Sequence, residues 1–304
     1  MKRVLITGVT GRSGSWLVRY LSADPHLAEQ YIFRFSHRKT SNTSILDDLP
    51  FLFEKVEGDL TDEAFCREIC TDVDTLFHIA GIHWSIPLVP AAIECGVKRL
   101  ILVHTTGVYS KYKAAGEEYR NIDNKIEQLV EKADISLTIL RPTMVYGTID
   151  DGNISVFLKM VHLLRFFPVV DHAIFALQPV CHKDLGKAYY EVLIHPEETK
   201  NKNYILSGGE PILLIDILKT LGHQLGVKNT FISFPFWLVY SAAWCLYLLT
   251  FRKIDYREKV QRLVEPRIFS HEDATRDFGY APVTFEVGVK EEVEMYKKLK
   301  GKCR

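Results

Sequence analysis

The first half of the chain alternates short apolar runs with amphipathic stretches, which predicts a parallel sheet covered by helices on both faces. The predicted strands are Val4–Thr7, Tyr31–Phe35, Phe53–Val56, Thr75–His78, Arg99–His104 and Leu137–Leu140. The predicted helices are Ser15–Ser22, Glu63–Cys70, Pro87–Glu94 and a long helix that reaches Lys132. We therefore expect an α/β chain with a doubly wound parallel sheet.

One later stretch, residues 231–251, is apolar and carries no charge over its twenty-one residues. A run of this length is long enough to span a bilayer. Against a span, Pro235 lies near its start and its aromatic residues are spread throughout instead of forming two belts. We expect a buried helix here, and peripheral attachment to a membrane surface is the alternative.

The charge balance and the cysteine content limit the classes of protein to which this chain can belong. The 304 residues include 38 basic and 38 acidic side chains, so the basic excess typical of nucleic-acid binders is missing. Six cysteines are scattered without a disulfide framework or the spacing of a zinc site. We expect reduced thiols, no metal, no nucleic-acid partner and a cytoplasmic location.

Three glycines follow the first predicted strand at intervals of three, namely Gly8, Gly11 and Gly14. A strand, a glycine-rich turn and a helix in this order place backbone N–H groups and a helix N-terminus against a pyrophosphate. The pattern therefore predicts a dinucleotide site. Its loop residues are Gly8, Thr10, Gly11, Arg12, Ser13 and Gly14.

The end of the second predicted strand bears on the choice of cofactor. An acidic residue at this point usually accepts the ribose hydroxyl of NAD, but the chain reads Ser36-His37-Arg38. Arg38 and Arg12 are suited to bind a 2′-phosphate through their guanidinium groups. We expect NADP, with NAD left open.

The spacing Gly-x-x-Gly-x-x-Gly and the run Arg141-Pro142-Thr143-Met144-Val145-Tyr146-Gly147 resemble the extended and atypical short-chain dehydrogenases/reductases. The similarity is to NAD(P)-dependent epimerases and dehydratases of nucleotide sugars. It implies a Rossmann-like domain over residues 1–149. It also implies a smaller substrate-binding portion over residues 150–304 that is partly interleaved with the sheet.

The resemblance also assigns site residues. Asp59 and Leu60 match the adenine contact, and Ala80 and Gly81 match the small residues that line the cofactor. Thr105 stands where the family has its catalytic serine, and it is also assigned to the cofactor site. Counting back from Glu127 places the catalytic tyrosine at Tyr119, the family's acid/base.

The lysine of the family's Tyr-x-x-x-Lys signature is replaced by Asp123. A carboxylate close to the phenol would raise the tyrosine pKa, by roughly three units at an effective dielectric constant near 20. Lys125 or Lys113 is a candidate for the compensating cation. A literal match, Tyr109 to Lys113, lies so close to the fifth strand that we interpret it as coincidental.

The C-terminal half carries weaker matches. Asp184 is expected to cap the helix that follows it, and a helix is predicted at Leu214–Leu225. Arg257, Arg262 and Arg267 are either diphosphate ligands, as the resemblance implies, or solvated charges.

We expect an NADP-dependent epimerase, dehydratase or reductase acting on a nucleotide-activated sugar or a related carbonyl or hydroxyl substrate. Thr105 and Tyr119 are its expected catalytic residues. The alternative is a catalytically silent dinucleotide-binding protein that acts as a redox sensor or assembly factor. A homodimer is left open.

Overall fold

The computed structural model describes residues 1–112 and 114–301, apart from the side chain of residue 28. The strands of the described chain are β1 (Lys2–Thr7), β2 (Tyr31–His37), β3 (Phe53–Glu57), β4 (Thr75–His78), β5 (Arg99–Val103), β6 (Ser136–Pro142), β7 (Val145–Tyr146), β8 (Phe166–Val170), β9 (Ala176–Leu177), β10 (Val180–Cys181), β11 (Lys202–Leu206), β12 (Ile212–Leu213) and β13 (Thr230–Phe234). The helices are α1 (Arg12–Ala23), α2 (Leu27–Gln30), α3 (Glu63–Cys70), α4 (Ser85–Glu94), α5 (Gly116–Glu131), α6 (Ile154–Leu163), α7 (His182–Ile194), α8 (Pro196–Thr199), α9 (Leu214–Leu225), α10 (Phe236–Leu249), α11 (Arg257–Leu263), α12 (Glu272–Phe278), α13 (Phe285–Gly288) and α14 (Lys290–Gly301).

Seven parallel strands form the main sheet in the order β11-β6-β5-β4-β1-β2-β3. The inner strand β1 is buried from Val4 to Thr7, as expected of a strand covered on both faces. The strand order reverses beside β1, since β2 pairs with one edge of it and β4 with the other. Ligands of such sheets bind beyond the carboxyl ends of the strands at this reversal point.

Helices cover both faces of the sheet, which confirms the predicted Rossmann-like doubly wound fold. One apolar core lies under α1 and α7, and a second lies under α3, α4 and α5. Helix α7 packs closely on α1, because a Cβ atom on Gly186 would lie 2.3 Å from the Cβ atom of Trp16. The glycine at this contact lets the two helix backbones approach.

The C-terminal half is interleaved with this sheet. Strand β11 returns to pair with β6 at the sheet edge, after residues 145–181 have contributed β7 to β10 outside the sheet. A third core lies among α6, α9 and α14. The boundary near residue 150 stays a prediction.

The apolar stretch 231–251 is not a buried helix, so that expectation is wrong. Its first residues belong to β13, which pairs in parallel with β8. The rest forms α10, whose side chains are mostly exposed, with only Ala243 buried. Within the described residues, no helix is both long and apolar enough to cross a membrane.

Candidate active site

The glycine loop forms a tight turn between β1 and α1. Gly8 has φ of 79°, and a Cβ atom there would lie 2.7 Å from the backbone nitrogen of Ala80. A Cβ atom on Gly14 would lie 2.2 Å from the carbonyl oxygen of Gly8. Larger residues at these positions would force the backbones apart, so the glycines keep β1, α1 and the β4 loop in close contact.

A first cavity of about 530 Å³ lies at this turn, beyond the carboxyl ends of β1, β2, β3 and β4. Its lining residues are Gly8, Thr10, Gly11, Arg12, Ser13, Ser36, His37, Arg38, Ser41, Gly58, Asp59, Leu60, Ile79, Ala80, Trp84 and Val145. Most of the predicted cofactor residues meet here. Gly14 and Gly81 lie next to the lining rather than in it, and Thr105 lines a different cavity.

The end of β2 presents no carboxylate to this cavity. Ser36 lies opposite Thr7 of β1, and Ser36, His37 and Arg38 all line the cavity. The Arg12 guanidinium contacts Asp150 instead of standing alone, with Nη2 2.6 Å from the Asp150 carbonyl oxygen and 3.2 Å from its carboxylate. Arg12 thereby ties the glycine loop to the loop before α6.

Two neighbouring aspartates, Asp59 and Asp62, have different surroundings. Asp62 caps α3, since its Oδ1 atom accepts from the backbone N–H of Ala64 at 2.8 Å. Asp59 Oδ1 accepts two hydrogen bonds from Thr61, both at 2.9 Å. These bonds lower the pKa of Asp59, so an ionised carboxylate stands at the cavity wall.

A second cavity of about 530 Å³ adjoins the first, because Val145 lines both. Its lining residues are Thr105, Thr106, Gly107, Tyr109, Ser110, Lys111, Tyr112, Thr143, Met144, Val145, Asn153, Leu177, Gln178, Arg262, Val264, Glu265, Pro266, Arg267, Ile268 and Phe269. The cavity thus lies between the segment after β5 and the segment after α11. Glu265 lines this cavity but was not singled out in the sequence. Its position after an arginine-containing helix is only a weak sequence signal of a site.

Two of the three arginines singled out in the sequence line this second cavity. The Nε atoms of Arg262 and Arg267 are buried and have no hydrogen-bond partner among the described residues. Burial and the neighbouring Arg262 charge lower the pKa of Arg267 to about 10. Arg257 lies elsewhere, in an ion pair with Asp255 at 2.7 Å and over the Trp244 ring.

Thr105 and Tyr119 are not brought to one place. Thr105 lines the second cavity, where its Oγ1 atom accepts from the Gly107 backbone N–H at 3.0 Å. Tyr119 is half-buried between α4 and α5, with its ring centroid 5.5 Å from that of His83. Within the described chain, Tyr119 does not line either of the two cavities.

Asp123 is buried in a polar network and is not a lone anion beside the phenol. Its carboxylate accepts from His104 Nδ1 and from Arg141 Nη1, both at 2.6 Å. Although burial opposes ionisation, these partners hold the pKa of Asp123 below its usual value. Because Arg141 supplies a buried cation 2.6 Å away, the expected electrostatic conflict with Tyr119 is largely neutralised.

The same network fixes the state of His104. Burial lowers its pKa despite the opposing carboxylate, so the ring is neutral near pH 7. Nδ1–H then donates to Asp123, and Nε2 accepts from the Ser85 hydroxyl at 3.0 Å. His104 at the end of an apolar strand and Arg141 inside another are polar residues at unusual positions in the sequence, but nothing in the sequence joins them to Asp123.

The structure also bears on three smaller expectations, which concern the compensating lysine, the helix cap at Asp184 and metal ligands. Lys125 is exposed on α5, and Lys113 lies outside the described residues. Asp184 does not cap α7 but lies in its first turn, where it accepts from the Val283 backbone N–H at 3.0 Å. Among the described residues, no cluster of three or more histidine, cysteine or acidic side chains is arranged to hold a metal ion.

Comparison with known proteins places the chain. Residues 4–205 match the model of the NAD dependent epimerase/dehydratase family. The chain belongs to this family. It is 22% identical to UDP-glucose 4-epimerase of Vibrio cholerae, over 97% of the chain and 95% of that protein.

Solved structures agree on the fold. A UDP-glucose 4-epimerase from Thermotoga maritima, solved with UDP-glucose, superimposes with a TM-score of 0.71 at 19% identity, covering 98% of this chain and 99% of that one. A dTDP-glucose 4,6-dehydratase from Streptomyces venezuelae, solved with NAD and a second ligand, gives 0.71 at 18% identity, covering 98% of each chain.

Proposed function

We propose that this family member is an NADP-dependent epimerase, dehydratase or reductase that acts on a nucleotide-activated sugar or a related carbonyl or hydroxyl substrate. The observation that carries the proposal is the adjoining of two cavities at Val145. One cavity begins at a glycine loop suited to a dinucleotide. The other is lined by two arginines, Arg262 and Arg267, whose guanidinium groups are suited to a diphosphate.

The residues of the first cavity fit a nicotinamide dinucleotide. The glycine turn leaves no room for a Cβ atom at Gly8 or Gly14, and α1 begins beside it with its backbone N–H groups directed at a pyrophosphate. The bound cofactor would accept and return a hydride. Ser36 and Arg38 replace the acidic ribose ligand, which favours the 2′-phosphate of NADP over a free hydroxyl.

The second cavity supports a substrate that carries a diphosphate. Arg262 and Arg267 have buried Nε–H donors without a described partner, and an unsatisfied buried donor is costly. A diphosphate bound beside both guanidinium groups would offset the repulsion between the two cations. The two relatives above, one solved with UDP-glucose and one a dTDP-glucose 4,6-dehydratase, make a nucleoside diphosphate the natural probe.

Proton transfer is assigned to Tyr119, with Thr105 as the hydroxyl that binds the reacting oxygen. Thr105 already faces the second cavity. Tyr119 would have to turn from its contact with His83 toward the cofactor. Tyr109 lines the cavity and is half-exposed, so it is the residue to compare with Tyr119.

A silent dinucleotide-binding protein is the second candidate function. It is favoured by one observation: the position of the family lysine is occupied by Asp123, which is fully engaged with His104 and Arg141. The cation of this network, Arg141, is paired with Asp123, so it is not free to hold a nicotinamide ribose at the position of the family lysine.

Calorimetric titration with UDP tests the substrate cavity. We expect Arg262→Gln and Arg267→Gln each to weaken UDP binding by roughly tenfold, the usual effect of losing one charge-assisted contact. Arg257→Gln is the matched control, because Arg257 pairs with Asp255 outside the cavity. Equal binding by all four proteins would refute the diphosphate assignment.

Turnover separates the two candidate functions. With NADP present, wild type should convert UDP-glucose or dTDP-glucose, and Tyr119→Phe should lower the rate by roughly a hundredfold while NADPH affinity is retained. Loss of activity in Tyr109→Phe instead would transfer the acid/base role to Tyr109. Tight NADPH binding without turnover of any sugar nucleotide would support the silent protein.

A further inference from the structure

An exposed apolar surface of the protein is built around α10. Nine of its fourteen side chains are exposed and none is charged. The exposed fraction reaches 67% at Trp237 and 77% at Leu249, and Phe251 just beyond the helix is 87% exposed. Single exposed apolar residues are ordinary, but a helix that is apolar on its solvent side indicates a partner.

The neighbouring strands extend this surface. In the parallel pair β8–β13, Phe167 and Phe231 are paired in register and pack in the third core. Alternate side chains point the other way, and Phe166, Ile232 and Phe234 are exposed. The chain runs from Phe234 directly into α10, and the exposed apolar side chains of strand and helix are here together called the apolar surface.

Basic residues flank the apolar surface. Lys228 precedes it and Arg252 and Lys253 follow it, all outside a stretch of twenty-three residues without charge. Arg165 lies over the ring of Phe166, with 5.9 Å between guanidinium carbon and ring centroid. The nearest carboxylate that follows, Asp255, is neutralised by Arg257 at 2.7 Å.

This charge pattern suits anionic lipid headgroups better than a second copy of the chain. In a two-fold symmetric dimer, each copy would bring the same cations toward the other across the contact. A bilayer surface instead offers hydrocarbon for the aromatic and aliphatic side chains and negative phosphates for the flanking cations.

The length of α10 limits how deeply this helix can enter a lipid bilayer. Fourteen residues at about 1.5 Å each give a helix of roughly 21 Å, shorter than the roughly 30 Å hydrocarbon core. The helix also carries Trp237 and Trp244, and tryptophan prefers the boundary between headgroups and acyl chains. The geometry fits a helix lying in one leaflet.

We propose that the apolar surface docks this protein on the face of an anionic lipid bilayer, with α10 in the interface and Arg252 and Lys253 among the headgroups. The docking is monotopic, so the chain stays on one side of the membrane. It is independent of the proposed enzymatic function, since the cavities lie on other residues.

Cosedimentation with vesicles tests the proposal, using phosphatidylcholine alone or mixed with phosphatidylserine. Wild type should bind the mixed vesicles, and Leu249→Glu should lower the partition coefficient by roughly tenfold or more, as expected for exchanging one inserted apolar side chain for a charge. Leu52→Glu is the matched control, because Leu52 is 83% exposed but far along the chain from the apolar surface. It should bind as wild type does.

Two further measurements test the role of the flanking cations and exclude unfolding as the cause of lost binding. Arg252→Gln with Lys253→Gln should weaken binding to the mixed vesicles and leave the weaker binding to phosphatidylcholine unchanged. Circular dichroism confirms that each variant is folded. The proposal is wrong if wild type binds neither kind of vesicle. If light scattering then shows a dimer that Leu249→Glu dissociates, the surface is a self-association interface.

Discussion

Glu292 offers a stringent test of how the C-terminal helix is held to the N-terminal half of the chain. The side chain is fully buried in the first turn of α14, and its Oε2 atom accepts from the Gly147 backbone N–H at 3.0 Å. Burial, with the nearby Asp151 charge, raises the pKa of Glu292 to about 8.

The sign of the pH dependence follows from this shift. The folded protein binds the Glu292 proton more tightly than the unfolded chain, whose carboxyl pKa is near 4.5. The stabilisation is complete below the unfolded pKa and is lost as pH rises toward about 8. A difference of three to four units, at about 1.4 kcal/mol per unit, corresponds to roughly 5 kcal/mol of unfolding free energy.

Urea unfolding followed by circular dichroism at several pH values between about 5 and 8 measures this loss. We expect wild type to lose several kcal/mol over the range and Glu292→Gln to lose much less, because glutamine does not titrate. Glu291→Gln is the control, because the Glu291 carboxylate is next to Glu292 in the chain but is exposed and pairs with Lys183 on the surface. Parallel pH profiles for wild type and Glu292→Gln would refute the reasoning.

Three other substitutions have defined outcomes. Arg38→Ala should weaken NADPH binding by roughly tenfold in a fluorescence titration and leave NADH unchanged, and equal losses for both would refute the 2′-phosphate contact. Asp123→Asn should cost about 3 kcal/mol in urea unfolding, because it leaves the Arg141 cation buried without its counter-charge. Gly14→Ala should cost about 1–3 kcal/mol and weaken both dinucleotides, since its Cβ atom would meet the Gly8 carbonyl oxygen.

The sheet was predictable because local patterns determine it. Each of the six predicted strands is an apolar run between turn or helix signals, and their observed bounds differ by no more than two residues at either end. Helix α9, Leu214–Leu225, was predicted with the bounds it has, since the left-handed Gly226 ends it. Glycine spacing also located the first cavity, because a strand, turn and helix lie close together in both sequence and space.

The apolar stretch shows where such patterns fail. Hydrophobicity predicts that a segment avoids water, but it does not say whether protein or lipid covers it. Pro235 divides the stretch into β13 and α10, and the protein core closes over Phe231 while leaving Trp237 exposed. Burial here depends on the shape of the C-terminal half, which the periodicity of the stretch does not contain.

The network at Asp123 could not be predicted for a related reason, and it bears on the choice between enzyme and silent binder. The network joins α5 to β5 and β6 through His104 and Arg141, so it exists only once the helix lies on the sheet. A carboxylate so engaged is a structural group, and a lysine placed there would face Arg141 without a counter-charge. The family's lysine role therefore cannot be recovered at position 123 without dismantling the packing of α5. A replacement for that lysine must therefore come from elsewhere in the chain, and Lys111 and Arg267 line the second cavity.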